Sequence, residues 1–174
     1  QAYGELTGRF YSPLAEYLVD DAEYLVLAQG AITHELRYLV DRLREAGKIK
    51  AGVLCLSMLR PFPGARLTHL LKGKKALTVL ERTDQPLAED LPLLVEVRAA
   101  LDKAHENARA QGANPPYSAY ASFTRPTDRP ALFSGVYGVG ADLPSAALLH
   151  AVFTNMTVGE KGSKRYYLGR VFST

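Results

Sequence analysis

Hydrophobic and polar positions along this chain fall into blocks whose period switches between strand-like and helix-like. Glu23 to Ala28 (EYLVLA) is a short apolar run between Asp20-Asp21 and Gln29-Gly30, the pattern of a strand buried on both faces. Ile32, Leu36, Leu39, Val40 and Leu43 then recur at helical spacing, opposite His34, Glu35, Arg37, Asp41, Arg42 and Glu45. Gly47 predicts a left-handed cap for that helix. Ile49 to Ser57 reads as a second buried strand, stopped by Arg60-Pro61-Phe62-Pro63. A short helix is predicted over residues 65–71 and a third strand over Lys75 to Leu80. Asp90 as N-cap and Pro92 in the first turn open a long helix. Its stripe is Leu94, Val97, Leu101 and Ala104, and it ends near Gly112. The proline-rich segment 113–130 reads as a loop or linker. Leu132 to Tyr137 is a fourth strand, and Asp142 and Pro144 open a helix through Met156. Tyr166 to Phe172 is a last strand. Residues 1–21 show no regular period and read as an arm on the surface, outside the core.

Strands alternating with helices predict a parallel sheet covered on both faces, and right-handed crossovers make it an open, three-layer α/β/α domain. The last strand is either an antiparallel edge or part of a neighbouring domain. The chain divides accordingly: residues 1–21 as an arm or linker from a preceding domain, 22–158 as the α/β domain, and 159–174 as an exit segment toward a following domain.

Composition narrows the classes. At 174 residues one domain is expected, large enough to need no disulfide or metal for stability. A single Cys excludes a disulfide framework and any iron–sulfur cluster held by this chain alone. No apolar run approaches the roughly 18 residues of a membrane helix, and no secretory leader is visible. A cytoplasmic protein is therefore expected. The first residue is Gln1, which reads as a piece cut from something longer or a processed product. Net charge is +3, but the basic residues are scattered among acids, so nucleic-acid binding is not expected. The cluster Lys72, Lys74 and Lys75 reads as solvated turn lysines.

Open α/β sheets bind ligands at the carboxyl ends of their strands. There the sequence places Gln29-Gly30, Met58-Leu59-Arg60, Glu81-Arg82-Thr83-Asp84, and Gly138 with Gly140. Arg60 and Arg82 could clamp an anion. Equally, Glu81, Arg82 and Asp84 could pair with each other and cap a helix. Gly135, Gly138 and Gly140 lack the spacing of a dinucleotide fingerprint or P-loop and read as a tight turn. The four histidines have no metal-ligand spacing; His34 and His105 fall on polar helix faces. Cys55 lies inside a buried strand, a poor setting for a nucleophile. No convincing catalytic set emerges.

Several islands, in order, resemble one family. Tyr3-Gly4-Glu5-Leu6-Thr7-Gly8-Arg9 with Tyr11, then Asp21-Ala22-Glu23, resembles the segment joining the first two domains of pyruvate:ferredoxin (flavodoxin) oxidoreductases. Arg60-Pro61-Phe62-Pro63, Val79-Leu80-Glu81-Arg82-Thr83-Asp84 and Pro92-Leu93 resemble motifs of the second domain. Gly135 to Gly140, Pro144 and Ala151-Val152-Phe153-Thr154-Asn155-Met156 resemble its closing segment, and Tyr167-Leu168-Gly169 resembles the point where the next domain begins. Gln29-Gly30-Ala31 stands where members carry a Gly-Ser pair, a departure that leaves the 2-oxoacid open.

The resemblance implies a transketolase-C-terminal-like domain that is itself non-catalytic. The parent enzyme would decarboxylate pyruvate or a similar 2-oxoacid oxidatively, make acyl-CoA, and reduce ferredoxin or flavodoxin. Thiamine diphosphate, magnesium and iron–sulfur clusters would be held by other domains of the same polypeptide, with coenzyme A as co-substrate and a homodimer as the assembled form. This chain would hold no cofactor, and Thr7, Arg9, Arg60 and Arg82 would be its anion or domain-interface contacts. Two other classes stay open: a freestanding α/β interaction or regulatory subunit binding a small anion through Arg60 and Arg82, and a flavodoxin-like hydrolase, which lacks a visible nucleophile.

Overall fold

A computed structural model describes residues 2–8, 11–110, 114–139 and 143–169, with side chains from residue 5 onward. The elements run α1 (Ala2–Thr7), β1 (Leu14–Tyr17), β2 (Tyr24–Gln29), α2 (Ile32–Glu45), β3 (Ala51–Leu56), α3 (Gly64–Leu71), β4 (Ala76–Glu81), α4 (Pro92–Arg109), β5 (Ala131–Val136), α5 (Ala146–Thr157) and β6 (Arg165–Tyr167). The strands form one sheet in the order β1-β3-β2-β4-β5-β6. Every pairing is parallel except β1 on β3. Helices lie on both faces, so the three-layer α/β arrangement expected from the pattern is the observed one.

The continuous apolar runs explain the middle of the sheet. β3 and β4 are buried at every position because both of their faces are covered. One face packs Leu25, Leu27, Leu54, Leu77 and Val79 against α3 and α4. The other packs Val26, Val53, Leu80 and Phe133 against α2 and α5. Gly47 closes α2 as expected: at φ +63°, its N–H bonds Arg44 O at 2.8 Å and Lys48 N–H bonds Leu43 O at 3.2 Å, the paired bonds of a Schellman cap. Gly52 of β3 is required for another reason, since a Cβ there would stand 2.6 Å from Leu18 O.

Several sequence expectations need correction. Residues 14–17 are an antiparallel edge strand, not surface arm, with Leu14 only 1% exposed. Four residues are too few to show a period, and only pairing with β3 defines them. The last strand is parallel, with Ser134, Gly135 and Val136 facing Arg165, Tyr166 and Tyr167; residues 170–172 of its expected run lie outside the described residues. Segment 113–130 is a packed loop where it is described. Buried Asn107 grips it, donating to Tyr117 O at 2.9 Å and accepting from Tyr117 N–H at 2.9 Å. Ala121 and Phe123 sink into the core beside it, and Asp128 is fully buried against Arg125. His105, expected on a polar face, stacks edge-on against Phe123 at 5.7 Å.

Helix starts also differ. The N-cap of α5 is Ser145, whose Oγ accepts from Leu148 N–H at 3.4 Å; the expected cap, Asp142, lies outside the described residues, as do Gly112 and Gly140. Asp90 does not cap α4. It pairs with Arg98 at 2.5 Å, and the N-cap position is the buried Leu91, which has no side-chain acceptor.

Candidate functional site

The chain leaves β2, builds β3 on one side, and returns to build β4 on the other. That reversal opens a crevice between the loops at the carboxyl ends of β2 and β4, the usual ligand position in such sheets. Here it is a cleft of about 530 Å³ walled by Gln29 at the end of β2 and Gly30 after it, Arg82 and Thr83 after β4, and Tyr137 after β5.

Glu81 ends β4 with 7% of its surface exposed and supplies the cap that Leu91 cannot. Its carboxylate accepts from Leu93 N–H at 2.7 Å and from Leu94 N–H at 3.2 Å, anchoring the first turn of α4. Burial pushes the Glu81 carboxyl above the ordinary range, the two N–H groups pull part of the way back, and Asp90 adds to the rise. Arg82 is exposed and reaches across to β5, where its Nε donates to Gly138 O at 3.3 Å. Tyr137 is 5% exposed, and its hydroxyl donates to Gln29 O at a long 3.5 Å. Burial pushes that hydroxyl up and Arg82 pulls it down. Asp84 accepts from the Tyr167 hydroxyl at 3.0 Å, tying the β4 loop to β6.

Of the strand-end residues singled out in the sequence, Gln29, Gly30, Leu59, Glu81, Arg82 and Thr83 line this cleft, but of the expected contact residues that are described, only Arg82 does. Arg60 follows β3 at a cis bond to Pro61 and points to α4, where it pairs with Glu96 at 2.8 Å. Thr7 is exposed at the end of α1, and Arg9 lies outside the described residues. The structure therefore does not join Arg60 and Arg82 in one clamp.

Sequence reasoning missed Arg37. It donates from Nη2 to the Cys55 Sγ at 3.3 Å, and its guanidinium lies 5.4 Å above the Tyr17 ring. Cys55 lies on β3, which packs directly under α2, but Tyr17 arrives there only through the β1–β3 pairing, so that half of the arrangement was invisible while residues 14–17 were read as arm. Among the described residues, no group of three or more His, Cys, Asp or Glu side chains is placed to hold a metal ion. No described helix is long and apolar enough to cross a membrane.

An open, mostly parallel six-stranded sheet with a cleft at its reversal point defines a doubly wound α/β module. Within that class, the model of the pyruvate:ferredoxin oxidoreductase core domain II matches residues 22–114, and the chain belongs to that family. The Arg60-Pro61-Phe62-Pro63 and Glu81-Arg82-Thr83-Asp84 islands lie inside the matched stretch. The chain is 40% identical over 99 residues to pyruvate synthase subunit PorA of Thermotoga maritima, covering 57% of this chain and 25% of that subunit. It is 28% identical over 155 residues to a pyruvate-flavodoxin oxidoreductase of Nostoc, covering 88% of this chain and 12% of that protein. It is also 40% identical over 77 residues to the NADH-dependent phenylglyoxylate dehydrogenase subunit alpha of Aromatoleum evansii, covering 44% and 18%. The chain thus spans a quarter or less of the length of each of these relatives.

Proposed function

We propose that this chain is the second domain of a thiamine-diphosphate-dependent 2-oxoacid:ferredoxin or flavodoxin oxidoreductase that forms acyl-CoA, with pyruvate as the substrate, and that its own task is assembly rather than chemistry. The observation that carries this reading is the family match over residues 22–114. Pyruvate appears in the names of two of the relatives and phenylglyoxylate, another 2-oxoacid, in the third.

The residues of this chain do not fit the parent enzyme's cofactors. An iron–sulfur cluster takes four thiolates, whereas the one Cys of the chain is buried in β3 under Arg37. Magnesium takes free carboxylates, and among the described residues the carboxylate that lines the cleft, Glu81, is occupied by two backbone N–H groups. What the carboxyl-edge loops do present is exposed apolar surface: Met58 at 43%, Leu87 at 102% and Leu143 at 55%. With Arg60 and Arg82 on the same loops, this edge suits contact with neighbouring domains, and Thr7, exposed at the end of α1, is a further contact residue in this reading.

The isolated chain is expected to reduce no viologen dye when supplied with pyruvate, coenzyme A, thiamine diphosphate and magnesium, and to give no heat of thiamine diphosphate binding while its circular dichroism shows it folded. Dye reduction or saturable cofactor binding by this chain alone would overturn the assembly role.

A further inference from the structure

A second cleft, of about 590 Å³, lies on the other side of the reversal point, between the ends of β2 and β3 and the first turns of α2. Thr33, His34 and Arg37 line it from one face of α2, with Gln29, Cys55 and Ser57 opposite. Arg37 is half-buried, and its Nε, shut off from solvent, has no hydrogen-bond partner among the described residues. Among the described residues, no Asp or Glu lines this cleft. The carboxylate one turn further along α2, Asp41, is taken by the Tyr17 hydroxyl at 2.8 and 2.9 Å. A guanidinium drawn out of water without a counter-ion is costly, and its fork of donors matches an oxyanion.

The neighbouring donors sort themselves. The Ser12 and Thr33 hydroxyls are committed to Leu14 O and Gly30 O. The His34 ring and Ser57 hydroxyl have no hydrogen-bond partner among the described residues, and both are exposed at the mouth. Other arginines at clefts are already engaged: Arg98 with Asp90, Arg129 with Asp102, and Arg82 with the Gly138 carbonyl beside the Glu81 carboxylate.

We infer that this cleft is a binding site for a phosphate-class oxyanion, with Arg37 as the charged clamp and His34 and Ser57 completing the donor set. The inference is independent of the 2-oxoacid reading, because it rests on the geometry of the cleft between α2 and the ends of β2 and β3. Isothermal titration of the 174-residue chain with inorganic phosphate and with glycerol 3-phosphate, at constant ionic strength in chloride, tests it. Saturable binding is expected, weakened more than tenfold in Arg37→Gln and retained in Arg82→Gln. Tighter binding of the ester identifies an organic phosphate as the ligand; equal binding identifies the free ion. Because Arg37 packs on Tyr17 and Cys55, a second variant guards against loss of fold: Ser57→Asp places a carboxylate at the exposed mouth and is expected to abolish binding without changing the melting temperature. No saturable binding of either probe, or binding unchanged in a folded Arg37→Gln or in Ser57→Asp, overturns the site.

Discussion

Glu81→Ala is expected to lower the unfolding free energy by about 2–4 kcal/mol, because two buried N–H groups, those of Leu93 and Leu94, lose their acceptor in one step. For a domain of this size that is a fall in melting temperature of roughly 4–16 °C. Glu81→Gln should cost less, since the amide oxygen keeps one of the two bonds. The pH dependence separates the cap from its charge. Burial raises the folded-state pKa of this carboxyl, so the folded chain holds the proton more tightly than the unfolded chain. The group's contribution is therefore fully present below the ordinary glutamate range and is lost as pH rises through the raised value. Urea titrations from about pH 4 to 7 should show the advantage of wild type over Glu81→Gln shrinking as pH rises. An advantage that grows with pH would mean that the carboxylate is stabilised by its setting, not strained by it.

The second large effect lies in the opposite layer. Phe153 is fully buried among the residues that seal α2 and α5 onto the sheet. Phe153→Ala is expected to cost about 3–5 kcal/mol, combining lost transfer energy with a cavity that the rigid β-sheet cannot collapse. Phe153→Leu should cost less than about 1.5 kcal/mol if the layer repacks around a similar volume. Leu87→Ala, on a fully exposed side chain, should stay within about 0.5 kcal/mol, and chemical denaturation of the three variants checks the series. A Phe153→Ala loss no larger than that of Leu87→Ala would place α5 outside the cooperative core.

What was legible in the sequence was local. β2, β3 and β4 announced themselves because strands buried on both faces must be apolar throughout, and α2 because Ile32 to Leu43 repeat at helical spacing and end on Gly47. What was not legible depended on pairing across distance. β1 exists only because Leu14 to Tyr17 can bond β3, and β6 is defined by Arg165 to Tyr167 finding partners on β5. The start of α4 misled for the same reason. Asp90 is the better cap by residue type, yet Glu81 takes the position from a strand end that the fold carries there. At the cleft, Arg82 was found from its place after a strand, whereas Arg60 occupied an equivalent place and turned to Glu96. Arg37 looked like any polar helix residue until β1 and β3 brought Tyr17 and Cys55 beneath it.

The cleft is braced from within. Among the described residues, the carboxylate that lines the cleft, Glu81, holds a helix end, and the loops around it carry apolar side chains outward. Surfaces of that kind are costly in isolation and are reconciled by contact with another folded unit.

The most direct test is made on the natural protein that contains this segment, purified whole and assayed for coenzyme A-dependent reduction of methyl viologen with pyruvate, alongside its thiamine diphosphate and iron content. The account predicts dye reduction that requires both pyruvate and coenzyme A, in a protein carrying thiamine diphosphate and iron. A whole protein that contains neither and reduces the dye with no 2-oxoacid, pyruvate and phenylglyoxylate included, would contradict it.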